Sequence, residues 1–301
     1  MKKILLIGSV TTDVTMRVDR LPAKEEDVNV QEQVMRVGGC AFNASSAVRL
    51  LDVPFTLAYD LGTGVYGDHI AREMAAREIP VFWRNKKENG SCYCLVEPDG
   101  DRTFLAVHGA EYEFPDEMFT GLDPQDYDLC YISGIDLEDE AGGGIVRCAR
   151  RMQQGGAQVV FAAGPRIMHI TEDRLRAVMD VHPILHLNRR EGQMLAHRLG
   201  IMFQSDHDVA VALHDVTKAP VIMTGGPLDV LWCGGDGQVH RVPAVVSDNV
   251  VDGTGAGDCH IGTIMAALMK GFGMDEAIGM ANRVSAAVVG LYGGEIRKED
   301  F

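Results

Sequence analysis

Two aspartates, Asp252 and Asp258, enclose the run Gly253-Thr254-Gly255-Ala256-Gly257, and an apolar segment, Ile261–Lys270, follows with Gly262 as its one breaker. A glycine run that feeds a helix offers backbone N–H groups without intrahelical partners, and the helix dipole adds positive potential there. Gly255 and Gly257 carry no side chain to keep a phosphate at a distance. Carboxylates repel the same phosphate unless they do chemistry or hold a metal. A carboxylate beside an anion hole can take the proton of an attacking hydroxyl while the N–H groups hold the developing charge. That combination is a phosphoryl-transfer site, with Asp258 as general base and Gly255, Ala256 and Gly257 as the anion hole. Taken alone, an aspartate after G-x-G is equally a helix cap. The loop is not a Walker A sequence, because no Gly-Lys-Ser/Thr follows. Nor does Gly8 open a dinucleotide fingerprint, because the later glycines are missing.

A second glycine site precedes another small-residue segment, Val37-Gly38-Gly39-Cys40-Ala41-Phe42-Asn43-Ala44-Ser45-Ser46-Ala47. Asn43 brings both a donor and an acceptor, which suits a hydroxyl-rich ligand. Asp13 closes the region after the first strand, where open α/β sheets bind ligands, and its carboxylate could accept two vicinal hydroxyls or serve as a turn residue.

The elements that must position these residues alternate along the chain. Short apolar runs at Ile4–Ile7, Phe55–Tyr59, Leu129–Ile132, Gln158–Phe161, Ile184–Leu187 and Val221–Thr224 read as buried strands. Helical patterns lie between them at Phe42–Leu51, His69–Arg77, Ile145–Gln154, Glu172–Met179, Gln193–His197 and Val209–Leu213. The alternation predicts an α/β fold over residues 1–301, a doubly wound, mainly parallel central sheet with helices on both faces. Residues of about 13–37 and 92–113 break the rhythm and read as a small antiparallel β lid, its hairpin turn at Pro98-Asp99-Gly100-Asp101.

Composition limits the partners. The 301 residues carry 43 acidic against 28 basic side chains, a net charge of −15, which repels nucleic acid and anionic membranes. No stretch approaches the ~20 apolar residues of a membrane span. The first apolar run is too short for a secretion signal and reads as a strand, so a cytoplasmic protein is expected. Seven scattered cysteines without C-x-x-C read as reduced thiols in preference to a zinc site.

On these residues the sequence resembles the ribokinase-like (PfkB) family of carbohydrate kinases. Asp252–Asp258 is similar to that family's D-T-x-G-A-G-D signature, and Gly38-Gly39 through Asn43-x-Ser45 to its G-G-x-x-x-N-x-A signature. Asn188-Arg189-Arg190-Glu191 resembles its N-x-x-E motif, and Thr224-Gly225-Gly226 its nucleotide strand. The resemblance implies an ATP donor, Mg²⁺, and a sugar or nucleoside acceptor bound by Asp13, Gly38, Gly39 and Asn43. It places Thr224, Gly226, Thr254, Asn188 and Asn282 near the nucleotide. It gives Asn188 and Glu191 the task of organising Mg²⁺ through water; the pair is also close to a helix capping box. Many members bind a monovalent cation such as K⁺ beside the anion hole, and Asp252 is compatible with that. The family's lid often forms a dimer interface, so a homodimer through the lid is expected.

Departures from the pattern are specific. Gly253 replaces the first signature threonine, Asp229 stands where the nucleotide strand's last glycine falls, and Ala162-Ala163-Gly164-Pro165-Arg166 lacks the acid of a D-P-x-x-R segment. The expected reaction is in-line transfer to a primary hydroxyl, with Arg102 of the lid closing over the phosphates or acceptor, or lying solvated at the surface. Adenosine-like or pseudouridine-like nucleosides remain open as acceptors, with Phe42, Tyr93 and Phe104 able to stack on a base. The rival classes are a non-catalytic sugar or nucleotide sensor and a nicotinamide-dependent oxidoreductase, which the missing dinucleotide fingerprint disfavours.

Overall fold

The computed structural model describes residues 2–98 and 102–300, so Asp99, Gly100 and Asp101 of the expected hairpin turn lie outside the described residues. Numbered along the chain, the first half holds β1 (Lys3–Ile7), β2 (Thr11–Arg17), β3 (Glu32–Gly38), α1 (Cys40–Leu50), β4 (Phe55–Ala58), β5 (Asp60–Thr63), α2 (Gly64–Ala76), β6 (Trp83–Glu88), β7 (Ser91–Val96) and β8 (Arg102–Val107). The second half holds β9 (Tyr127–Ser133), α3 (Gly142–Gln154), β10 (Gln158–Ala162), α4 (Glu172–Met179), β11 (Ile184–Asn188), α5 (Arg189–Arg198), α6 (Asp206–Thr217), β12 (Val221–Gly225), β13 (Leu228–Cys233), β14 (Val239–Val242), α7 (Ala256–Met269) and α8 (Met274–Val288).

The main sheet runs β14-β13-β12-β11-β10-β9-β1-β4. From β12 to β4 every pairing is parallel; β13 and β14 add an antiparallel edge. β1 shows why its sequence is a continuous apolar run. Ile4 and Leu6 pack on one face with Phe42, Ile70, Ile264 and Ile278, whereas Leu5 and Ile7 pack on the other with Ile145, Val178, Leu195 and Leu213. Thus α1, α2, α7 and α8 cover one face and α3 to α6 the other. All four β1 side chains are fully buried, each worth roughly 1.5–3 kcal/mol relative to exposure.

The lid segments form a separate four-stranded sheet, β3-β2-β7-β8. It is mixed, not antiparallel as expected: β2 and β7 pair in parallel, with Asp13 opposite Cys92. Two strands from distant parts of the chain meet at its centre, each carrying its own antiparallel neighbour. This sheet ends at Val107, and the 110–112 turn packs instead against the pair β5–β6.

Two crossing helices fix the site. Gly262 of α7 lies one turn past Asp258 and sits directly on the carbonyl of Ala44, the neighbour of Asn43, so a Cβ there would overlap backbone. The residue that reads as a helix breaker is the contact that lets α1 and α7 touch. Gly262→Ala should lower the unfolding free energy by ~1–3 kcal/mol in urea titration, the usual range for an overpacked core. An unchanged midpoint would mean the two helices have room to part.

Candidate active site

α7 begins one residue after Gly255, which takes the left-handed conformation (φ 73°) that a side chain resists. A Cβ on Gly255 would also overlap the backbone of Gly294. The first i→i−4 bond of the helix runs from Cys259 N–H to Gly255 C=O at 2.8 Å, leaving the amides of Gly257 and Asp258 without helical partners. Gly257 is exposed and its missing Cβ faces open space. Asp258 is therefore the third residue of the helix, not its cap, and its carboxyl is free of a capping bond. Asn43 Nδ2 donates to Asp258 Oδ2 at 3.0 Å. Burial pushes the Asp258 carboxyl up to about 6; Asn43 and Cys40 pull it down, and the charge of Glu191 adds to the rise.

The acceptor side is built by close backbone approaches. The absent Cβ of Gly38 leaves the space that the Asp13 carboxyl occupies across the β2–β3 pair. Gly39 (φ 104°) lies against the carbonyl of Ser9. Asp13 is raised to about 7, by burial first and then by the charges of Asp252 and Asp258, so these three acids share one space. Asn43 Oδ1 is buried and has no hydrogen-bond partner among the described residues.

Asp136, which carries no sequence motif, joins them. It is buried after β9; its Oδ1 accepts from Ser9 N–H at 3.1 Å, and its Oδ2, fitted where Gly8 lacks a Cβ, has no partner among the described residues. Burial raises it to about 7 against the Ser9 bonds, with the charges of Asp258 and Glu111 adding to the rise. Cys40 stands among Asp258, Asp136 and Ser133, and burial holds its thiol well above the ordinary value. Two orphaned acceptor atoms, one beside the base, are what a ligand with hydroxyl donors would satisfy.

Asp252 belongs to the phosphate side. Its Oδ1 accepts from Thr254 N–H at 2.8 Å and meets Arg102 at 2.6 Å, and its Oδ2 accepts from Gly293 N–H at 3.0 Å. Burial opposes its ionisation, but Gly293, Thr254 and Arg102 together outweigh it and hold the group below the usual carboxylate value. Arg102 also donates to Val251 C=O at 3.1 Å. The small sheet is thereby tied to the glycine loop, and Arg102 is largely buried in this ion pair, not solvated at the surface.

On the nucleotide side, Asn188 caps α5 in a full capping box. Asn188 Oδ1 accepts from Glu191 N–H at 2.8 Å, and Glu191 accepts from Asn188 N–H at 2.9 Å and from Asn188 Nδ2 at 2.8 Å. Burial raises the Glu191 carboxyl. Arg189, which the sequence marks only as an interior residue of the N-x-x-E motif, reaches Asp206 at 3.0 Å and donates to Asp229 C=O at 3.0 Å, bracing the β12–β13 turn that holds Gly226. Thr224 Oγ1 turns to Leu187 C=O at 3.4 Å. Asn282 is buried and doubly engaged, with His260 Nε2 at 3.0 Å and Pro243 C=O at 2.8 Å. It stands behind the nucleotide loop, its amide already used. Among the described residues no cluster of three or more His, Cys, Asp or Glu is arranged to hold a metal, and no helix is long and apolar enough to cross a membrane.

Comparison with known proteins shows the family and the fold. A protein of Escherichia coli (strain K12) described as the uncharacterized sugar kinase YegV is 30% identical over 297 residues, 98% of this chain and 90% of its own. Mouse ketohexokinase is 24% identical, covering 97% of each chain. Among solved structures, Thermotoga maritima ribokinase superposes with a TM-score of 0.85 at 21% identity, over 100% of this chain and 98% of its own. The model of the pfkB family of carbohydrate kinases matches residues 1–299, and the chain belongs to that family.

Proposed function

We propose that this kinase transfers the γ-phosphoryl of ATP to a primary hydroxyl of an uncharged sugar, with Asp258 as general base. The observation that carries the reading is the position of Asp258: a carboxylate at the start of α7, bonded to Asn43, beside the unpartnered amides of the same helix. The acceptor hydroxyls bond to Asp13, Asn43 Oδ1 and the backbone at Gly38 and Gly39. As the acceptor oxygen bonds to phosphorus and the bond to ADP breaks, Asp258 takes the hydroxyl proton. The amides of Gly257 and Asp258 hold the charge on the transferred group. Thr224, Gly226 and Thr254 border the space left for the nucleotide. Asn188 and Glu191 fit Mg²⁺ held through water, since that ion keeps several waters and takes few carboxylates. Bound there, it would neutralise charge on the phosphates. At Asp252 both oxygens are engaged, and the Arg102 guanidinium already supplies the positive charge that a monovalent cation would bring.

A sugar is favoured over a nucleoside because two of the three stacking candidates are occupied elsewhere and the third, Phe104, is exposed on the edge strand β8. Phe42 is fully buried beneath the Arg77 guanidinium, and Tyr93 bonds to Tyr66 at 2.6 Å. An anionic sugar is disfavoured because Asp13, Asp136 and Asp258 face the acceptor space, while Arg102 is neutralised by Asp252 and both Arg17 and Arg36 lie on Tyr292. The small sheet serves as the lid, latched by Arg102. Its edge strand β8 exposes Phe104, Leu105, Ala106 and Val107 in succession, an apolar edge that a second copy would cover.

Asp258→Asn should fold as the wild type and lose ~10²–10⁴ in kcat, the usual cost of a general base; wild-type turnover would remove Asp258 from the role. In the wild type, kcat/KM should fall about tenfold per pH unit below about 6, because the base works only when ionised. In a panel of neutral sugars, nucleosides and sugar acids read by ADP formation, neutral sugars should give the highest kcat/KM. Preference for a sugar acid would show that a cation reaches the acceptor space. Sedimentation should find a dimer that Leu105→Lys converts to monomer; a monomeric wild type would leave the β8 edge without this partner.

A further inference from the structure

The segment Gly290–Arg297 follows α8 and bonds to side chains of the glycine loop, α7 and α1. Gly293 N–H donates to Asp252 Oδ2 at 3.0 Å, Cys259 Sγ donates to Gly294 C=O at 3.2 Å, and Ile296 N–H donates to Ser46 Oγ at 3.1 Å. Gly294 lies flat against the Asn43 carboxamide and against Gly255, and a Cβ on it would overlap Asn43 Nδ2. That nitrogen is the one bonded to Asp258. The position of this strap thus sets both the orientation of Asn43 and the start of the anion-hole helix.

The strap is held at Glu295. Arg77, at the end of α2, grips it with two parallel bonds, Nε to Oε1 at 2.6 Å and Nη2 to Oε2 at 2.6 Å. Its remaining nitrogen donates to Glu73 C=O at 2.7 Å and Glu73 Oε2 at 2.8 Å, and its guanidinium lies 5.6 Å over the ring of Phe42, the neighbour of Asn43. The fork is pre-organised and charge-assisted, which makes it stiff as well as strong. Two surface cavities, of about 710 and 310 Å³, share this ion pair in their walls, and neither is lined by Asp13, Asn43 or Asp258. The pair lies outside the reaction space and touches no reacting group.

We propose that the Arg77–Glu295 pair is a positioning clamp for catalysis: it seats the strap so that Gly294 holds Asn43 on Asp258 and fixes Gly255 at the head of the anion hole. The kinetic part rests on the kinase reading above, and the structural part does not. The groups facing Asp258 are Cys40 from α1, Asp13 from β2, Tyr131 from β9, Asp136 after β9, Glu191 from α5 and Cys259 of α7, whose thiol also feels the charge of Glu295. Neither member of the clamp is among them, so it acts on Asp258 through Asn43.

Glu295→Gln separates the clamp from a direct charge effect by sign. Removing a negative charge near a carboxylate lowers its pKa, whereas loss of the Asn43 donor raises it. The full-length wild type and Glu295→Gln are compared by steady-state kinetics well below both Tm values, and by NMR titration of the ¹³C-labelled Asp258 carboxyl, assigned with Asp258→Asn. The expected result is a kcat lowered about tenfold to hundredfold, as for a small misplacement of reacting groups, with Asp258 titrating at higher pH. A lowered Tm with unchanged kcat, or Asp258 titrating at the same or lower pH, would overturn the clamp and leave a structural ion pair. Should Glu295→Gln fail to fold, Gly294→Ala, which disturbs the same seat without touching the pair, must give the same kcat loss and upward titration or the proposal falls. If the wild type phosphorylates no acceptor, the kinase reading fails, and the NMR titration still decides whether the clamp holds Asn43 on Asp258.

Discussion

Asp258 faces Asp13, Asp136 and Glu191, and the burial that would suit it to the proposed role of base also drives it toward its protonated form. The site works only if something favours the charged carboxylate. The start of α7 offers its dipole and its free amides, Asn43 donates a hydrogen bond, and Arg102 pairs with Asp252, whose charge still adds to the rise at Asp13. The balance leaves Asp258 near 6 while Asp13 and Asp136 stay near 7. The acceptor's hydroxyls would add donors to all of them, so binding and ionisation favour each other.

Keeping these groups in one space requires backbones to come closer than side chains allow. Gly38 makes room for Asp13, Gly8 for Asp136, Gly262 for α1 and Gly294 for both Asn43 and Gly255. Gly39, Gly226, Gly255 and Gly293 also take a positive φ. Gly8, Gly38, Gly262 and Gly294 are present for approach and not for turning, and a methyl group at these positions would push an acid or its partner out of register. This explains how the loop tolerates Gly253 where the family signature has threonine: that residue touches nothing within reach of a Cβ.

The sequence makes legible whatever is local. The apolar run of β1, the glycine run ahead of α7 and the capping-box spacing of Asn188 and Glu191 each announce their conformation within a few residues. What depended on distant partners was not legible. The parallel join of β2 to β7 depends on the path of the whole intervening segment, Val18 to Gly90, and nothing in either strand encodes direction. α8 was not among the helices read from the sequence, although its buried stripe carries Ile278, Val284 and Val288 beside Ala277, Ala281 and the polar Asn282. Arg77 looks like half of an ordinary surface pair with Glu73, and Glu295, 218 positions away, gives no local sign of being its stronger partner.

A second internal chain explains how the base helix keeps its rotation. Asn282 Nδ2 donates to Pro243 C=O, which can only accept, so Asn282 Oδ1 must accept from His260 Nε2–H. His260 Nδ1 is then bare and accepts from His186 Nε2–H at 2.9 Å. Both rings are neutral, His260 lowered to about 4 and His186 well below the ordinary value, each by burial first. The order of donors runs one way from β11 through α7 to α8, and reversing any member would set two donors or two acceptors face to face. His186 lies two residues before Asn188 and His260 two after Asp258, so β11, which ends at Asn188, and α7, which carries Asp258, share one polar bolt. A rotation of α7 that withdrew Asp258 from Asn43 would have to break that bolt inside the core, where unpaired polar groups are costly.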